Sequence, residues 1–106
     1  MFSSPPVPRN IETYQDAEHI AAEWMRYWGF RDAKVTPAGP DGGMDIISRG
    51  AIAQVKYQAA QIGPAVLQQL RGATHGRDSI LIFFTASGYS QRAMEYAERV
   101  RMELFI

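Results

Sequence analysis

The sequence contains no cysteine, which excludes disulfides and thiolate metal sites and fits a protein of the reducing cytoplasm. It also contains no apolar run near the roughly 20 residues that span a bilayer, so no membrane partner is expected. The segment 1–6 lacks a basic start followed by an apolar stretch, and therefore does not resemble a secretory signal. These absences together predict a cytoplasmic localisation.

The sequence also has no net charge, because its 11 basic and 11 acidic side chains cancel. Tight non-specific binding to nucleic acid depends on neutralising phosphates, and a balanced chain is poorly suited to it. If DNA is the partner, either one face is locally basic or a separate domain supplies the affinity.

Size and composition indicate one folded domain. A chain of 106 residues with 46% hydrophobic side chains can bury one core but not two. Residues 1–10 include three prolines and two serines and are predicted to form a flexible leader. Residues 11–106 are predicted to form the single domain.

Periodicity and turn residues predict a helix, three strands, a helix, a strand and a helix. The predicted segments are 11–28, 33–38, 44–48, 51–57, 63–75, 79–84 and 91–101, and 102–106 is either a last strand or the end of the helix. The first helix is expected to bury the stripe formed by Ala17, Ile20, Ala21, Trp24 and Trp28. The apolar run at 79–84 suits a strand buried on both faces. The fold class is thus α/β, with a mixed central sheet flanked by helices on both faces.

The hairpin at 44–57 contains the least generic pattern. Gln54 and Lys56 share one face of their strand, among apolar neighbours, and a buried lysine requires a partner. If Arg49-Gly50 is a two-residue turn, counting back places Asp45 opposite Gln54, with side chains about 5 Å apart. A one-residue error in register would break this pairing.

Such a cluster suits metal-assisted phosphodiester hydrolysis. The Asp45 carboxylate can hold Mg²⁺, which prefers oxygen ligands, and the Gln54 carbonyl can add an oxygen or orient a ligand water. Lys56 can orient the attacking water or stabilise charge on the phosphate. The alternative is a polar strand edge with a solvated lysine.

The motifs GPDGGMDI at 39–46 and QVK at 54–56 resemble the Mrr-type branch of the PD-(D/E)xK nuclease superfamily. The resemblance extends over about 11–106 and implies a three-layer restriction-endonuclease-like fold. It implies that Asp45 is the metal-binding aspartate and that Asp41 is a supporting loop residue. Gln54 departs from the acidic residue usual in the superfamily but matches this branch. The site then has one charge fewer, and weaker metal affinity is expected.

The resemblance also implies a glutamate on the first helix, for which there are two candidates. Glu18 points with Ala22 and Met25 at the edge of the apolar stripe, whereas Glu23 points to the polar face. Glu18 also lies at the expected spacing before Gly29. It is therefore the preferred metal ligand or water-orienting carboxylate, and an ordinary helix salt bridge is the alternative.

The resemblance implies a Mg²⁺-dependent DNA endonuclease, with Mn²⁺ as a substitute, that acts on foreign or modified DNA. Two alternatives stay open: a nuclease like the Holliday-junction resolvases, and a catalytically weak nuclease-fold module that binds DNA or protein. Relatives commonly have a separate DNA-recognition domain, which this length leaves no room for, so a fragment of a longer protein or a minimal relative is expected. Whether two copies pair as a homodimer to cut both strands is left open.

Overall fold

The computed structural model describes residues 5–8, 10–37, 44–75 and 77–106. Within these ranges the elements are α1 (Tyr14–Tyr27), β1 (Lys34–Val35), β2 (Ile46–Ile47), β3 (Ala51–Lys56), α2 (Pro64–Ala73), β4 (Ile80–Thr85), α3 (Gln91–Val100) and β5 (Glu103–Phe105). This order confirms the predicted succession of helices and strands, and the segment after α3 proves to be a strand. No helix among the described residues combines the length and apolar character needed to cross a lipid bilayer.

The five strands form one mixed sheet in the order β1-β2-β3-β4-β5. β2 is antiparallel to β1 and β3, whereas β4 is parallel to β3 and β5. The sheet therefore changes from antiparallel to parallel pairing at β3, the central strand. The connection between β3 and β4 contains α2, as parallel neighbours require a crossover.

Two buried clusters lie on opposite faces of the sheet and define three layers. On one face, Met25 of α1 packs with small residues of β3 such as Ala51 and Ala53. On the other, Ile52 and Phe83 pack with residues of α2 and α3. Successive residues of β3 thus face opposite helical layers, which confirms the alternation predicted for this strand. The fold is a restriction-endonuclease-like α/β sandwich.

Helix α1 begins at Tyr14, three residues later than predicted, because Thr13 is its N-cap. The Thr13 hydroxyl accepts the Asp16 N–H at 3.1 Å, and the Asp16 carboxylate accepts the Thr13 N–H at 3.1 Å. This reciprocal capping box satisfies backbone groups that would otherwise lack partners at the helix start. The helix ends where predicted, before Gly29, whose φ of 114° is a left-handed conformation suited to glycine.

The buried face of α1 is rotated from the predicted stripe. Ala22 and Met25, expected at the edge, have 0% exposure and lie at the centre of the contact with the sheet. Trp28, expected in the core, is 38% exposed. The small alanines pack the helix closely on the alanines of β3, and the bulky indole groups lie beside that contact. The prediction that Trp28 is a core residue is therefore wrong.

Several strand boundaries also differ from the prediction. β1 and β2 pair over only two residues each, where longer strands were predicted. The turn predicted at 39–43, including Asp41, lies outside the described residues. β4 is buried at Ile82 and Phe83 but begins with Ile80, which is 49% exposed. Ile82 lies in one buried cluster and Phe83 in the other, which confirms the expected burial on both faces at the centre of this strand.

Tyr89 links β4 to β5 through its hydroxyl group. The hydroxyl oxygen lies 2.9 Å from the Phe83 carbonyl oxygen and 2.7 Å from that of Phe105. Burial raises the pKa of Tyr89, so the hydroxyl remains a hydrogen-bond donor.

We expect Tyr89→Phe to lower the free energy of unfolding by about 1–2 kcal/mol, because a buried hydrogen bond is lost and its acceptors stay buried. Urea denaturation would measure the change. Tyr27→Phe, at a residue that is 40% exposed, is the control and should change the free energy by less than about 0.5 kcal/mol. Equal effects of the two substitutions would contradict the role of this link.

Candidate active site

A cleft at the end of β3 brings the predicted site residues together. Its lining includes Glu18 from α1, Asp45 from the start of β2, and Gln54 and Lys56 from β3. The cleft lies near the carboxyl end of β3, beside the point where the sheet changes from antiparallel to parallel pairing. Open α/β sheets commonly bind ligands in such crevices.

The hairpin register confirms the two-residue turn at Arg49-Gly50. Ile46 pairs with Ala53 and Ile47 with Ile52, and the Ser48 N–H donates to the Ala51 carbonyl at 2.9 Å. The regular register is observed only as far as Ile46 and Ala53, so the direct pairing of Asp45 with Gln54 stays a prediction, although both residues line the same cleft. The site therefore depends on a local feature, the length of one turn.

At Asp45 the regular pairing of β2 and β3 ends. Extending the register would place Met44 opposite Val55, yet the Val55 N–H donates to Oδ2 of Asp45 at 2.8 Å. The Asp45 N–H donates to the Ala53 carbonyl at 2.9 Å. A side-chain oxygen thus replaces a backbone acceptor, and the two strands separate beyond it. The Val55 N–H therefore holds the Asp45 carboxylate at the point where the pairing of β2 and β3 ends, which we call the fork.

Glu18 reaches the fork because of the face that it occupies on α1. It lies four and seven residues before Ala22 and Met25, so the three side chains share one face of the helix. Because Ala22 and Met25 face the sheet, the Glu18 side chain extends from the buried edge of α1 toward the end of the strands. Glu23, the other candidate, is not among the residues that line the cleft.

The Glu18 and Asp45 carboxyl groups interact directly. Burial, followed by the negative charge of Asp45, raises the pKa of Glu18, and a side-chain hydrogen bond to Asp45 acts in the same direction. The charge of His19 opposes this shift. When it is protonated, Glu18 donates to the Asp45 carboxylate. A cation beside the two carboxyl groups would favour the ionised form of both.

Gln54 is only 5% exposed although it lines the cleft. Its Oε1 atom is buried and accepts no hydrogen bond from the described residues. A buried acceptor without a donor costs about 1–3 kcal/mol, which a bound cation or its water could recover.

The donor set fits a hard divalent cation. No three residues among the described His, Cys, Asp and Glu form a cluster, so the available ligands are two carboxylates and one amide. All of these supply oxygen, the ligand type that Mg²⁺ prefers, and Mg²⁺ usually keeps several waters and needs few protein ligands. The raised pKa of Glu18 beside Asp45 and the unpartnered Gln54 oxygen are both consistent with such a site.

Sequence reasoning missed part of the cleft wall. Tyr14, Gln69 and Ala73 also line it. Gln69 belongs to α2, the helix that follows the lysine strand. Gln69 points away from the face of the buried Leu67 and Leu70 and is exposed, so no pattern within α2 identifies it as part of the cleft wall. Tyr14 lies four residues before Glu18 on the same face of α1, so helical spacing is the signal that points to it.

Two carboxyl groups, an amide and a lysine at the open end of a mixed sheet are typical of nucleases with this type of fold. The sequence model of the Mrr_cat family, described as restriction endonuclease, matches residues 11–105. The chain belongs to this family, and its domain is a nuclease of the restriction-endonuclease type. No curated protein and no solved structure matched the chain.

Proposed function

We propose that this nuclease domain hydrolyses DNA phosphodiester bonds endonucleolytically in a Mg²⁺-dependent reaction, with Mn²⁺ as a substitute. The observation that supports this most strongly is the contact between Glu18 and Asp45 in the cleft that Gln54 and Lys56 also line. Family membership supports the nuclease class, and the donor set supports the metal.

Asp45, Glu18 and Gln54 are the residues that would hold the cation. Bound there, it would supply Lewis-acid activation of the phosphate and of a water molecule. The hydrogen bond from the Val55 N–H fixes the orientation of Asp45 before any ligand arrives. Such a preformed carboxylate needs little reorganisation during the reaction.

The remaining chemistry is assigned to Glu18 and Lys56. Glu18 orients the attacking water, whose oxygen forms the new bond to phosphorus as the bond to the leaving sugar oxygen breaks. The Lys56 ammonium group, at the mouth of the cleft, donates to the phosphate oxygens on which charge develops. The Glu18 carboxylate accepts the proton of the attacking water, and a solvent water protonates the leaving sugar oxygen, so that one water is consumed in each cleavage.

Foreign or modified DNA is the substrate class that we infer from the family. Because the net charge is zero, phosphate neutralisation contributes little to the affinity for DNA. We therefore propose that a separate recognition domain selects the target. Cleavage of both strands would take two copies of the site or two successive events at one site.

Supercoiled plasmid provides the direct test. We expect nicking or linearisation with Mg²⁺ or Mn²⁺ and none with EDTA, on unmodified or modified plasmid. Nicking that persists unchanged in EDTA, or no cleavage of any DNA form, would overturn the proposal. Comparing branched with linear DNA separates a resolvase from a restriction-type enzyme.

Metal affinity should change in opposite directions at two positions of the site. We expect Gln54→Glu to tighten Mn²⁺ binding about tenfold, because it adds a charge, and Glu18→Gln to weaken it about tenfold. Isothermal titration calorimetry measures both, with circular dichroism to verify folding. Glu23→Gln, on the same helix but away from the cleft, should bind Mn²⁺ as the wild type does. Absence of Mn²⁺ binding by the wild type at millimolar concentration would favour a non-catalytic module.

A further inference from the structure

A second pocket opens between α1 and the carboxyl ends of β3, β4 and β5. Its volume is about 350 Å³, at the lower end of the roughly 300–1,000 Å³ of small-molecule sites. Aromatic rings form much of its wall. These are Trp24, Trp28, Tyr57, Phe84 and Phe105. The pocket is mainly apolar but remains open to solvent.

The rings in this pocket, which we call the aromatic pocket, already stack on one another. The Trp28 ring lies 4.6 Å from that of Phe105 and 6.0 Å from that of Phe84, with an angle of 3° between the planes of Trp28 and Phe84. Trp28 is also 38% exposed. Flat, partly exposed rings held parallel by their neighbours form a platform on which another flat ring can stack.

The aromatic pocket adjoins the candidate active site. Val55, Lys56 and Tyr57 line both the pocket and the cleft that contains Asp45. Strand β3 therefore lies between the aromatic pocket and the cleft, and the cationic Lys56 lies at the boundary between them. A DNA strand whose phosphate lies at Lys56 would have its adjacent base within reach of the pocket.

We infer that the aromatic pocket receives one unpaired nucleobase of the DNA strand being cut. This inference rests on the proposed function, since the strand has to be bound in the cleft. Stacking of a base on aromatic side chains contributes about 1–3 kcal/mol and tolerates any sequence. It also provides affinity in addition to phosphate contacts, which are expected to be few in a chain without net charge.

The pocket suits stacking better than the reading of base edges. Its Thr85 hydroxyl is already engaged, 3.1 Å from the Lys56 carbonyl oxygen and 3.0 Å from the Ser87 hydroxyl. The other walls are largely apolar side chains. We therefore expect the pocket to distinguish an unpaired base from a paired one, and not one base from another.

Intrinsic fluorescence gives a specific test, because the only two tryptophans of the sequence, Trp24 and Trp28, both line the pocket. Wild-type protein in EDTA is titrated with a fluorescently labelled single-stranded oligonucleotide and with a labelled abasic one of equal length. We expect the first to quench tryptophan emission and to bind about tenfold more tightly than the abasic strand. Binding measured by anisotropy without base-dependent quenching, or no binding of either strand, would overturn the inference.

Substitution at Trp28 adds a second measurement. Trp28→Leu should reduce the ratio of the two affinities to near one, and Trp28→Phe should restore most of it. A purely structural role would change both affinities together. If Trp28→Leu does not fold, Phe105→Leu tests the same wall.

Two further outcomes separate this inference from its alternatives. Plasmid cleavage without base-dependent quenching would overturn the pocket assignment and leave the nuclease function intact. Absence of both plasmid cleavage and base-dependent quenching would overturn both the nuclease function and the pocket assignment. Tryptophan emission that changes with protein concentration, together with a dimer in sedimentation and no base-dependent quenching, would assign the pocket to a second copy of the chain instead.

Discussion

Asp45→Asn should lower the rate of plasmid cleavage about 1,000-fold while leaving the fold intact. The substitution removes the negative charge that would hold the cation. It retains a side-chain oxygen that can accept the Val55 N–H, which Oδ2 of Asp45 now accepts at 2.8 Å. Charge and hydrogen bonding are thereby separated at one position. Initial cleavage rates in Mg²⁺ give the effect, and thermal unfolding followed by circular dichroism verifies the fold.

Two comparisons make this result specific to the site. Asp78→Asn removes the same charge from a residue away from the cleft, and should cleave at the wild-type rate. Asp45→Ala should lose both cleavage and stability, since the Val55 N–H is left without an acceptor. Cleavage by Asp45→Asn within tenfold of the wild-type rate would contradict the assignment of Asp45 as the metal-binding carboxylate.

Lys56→Met should lower the maximal cleavage rate about 100-fold or more. Methionine retains an unbranched apolar stem of similar length against the pocket wall but cannot donate to a phosphate. If Lys56 stabilises charge that develops in the transition state, kcat falls and KM changes little. Steady-state kinetics on a short duplex with a single cleavage site separates the two constants.

Lys34, the only other lysine of the sequence, supplies the matched control. It is exposed on β1, and Lys34→Met should leave both constants close to those of the wild type. A Lys56→Met enzyme with a raised KM and an unchanged kcat would show that the lysine only binds the DNA backbone. The proposal that Lys56 acts in the chemical step would then be wrong.

The sequence predicted the parts of the site that depend on local rules. Alternation along a strand has a period of two, so Gln54 and Lys56 fall on one face regardless of the rest of the fold. The two-residue turn at Arg49-Gly50 set the register of β2 against β3, and so placed Asp45 at the same end of the hairpin as Gln54. Both depend on residues within twelve positions of each other, and the paired strands confirm them.

Features that depend on packing between distant elements were harder to predict. The predicted orientation of α1 was wrong because the large indole side chains dominate the apolar pattern of the sequence. In the structure the small alanines of the helix pack on the sheet instead. This orientation moves Glu18 to the fork and leaves Trp28 partly exposed. Gln69 reaches the cleft only through the way α2 packs. None of these positions follows from the local pattern of its own segment.

The hydrogen bond between Asp45 and Val55 also limits how this domain can change over evolutionary time. One side chain serves both the sheet and the proposed chemistry, so selection on folding continues at position 45 even where selection on cleavage has ceased. A lineage that lost activity would be expected to drift there toward asparagine, which preserves the acceptor, before it tolerated an apolar residue. Asparagine at this position in a relative would then mark a domain that had kept its architecture after abandoning catalysis.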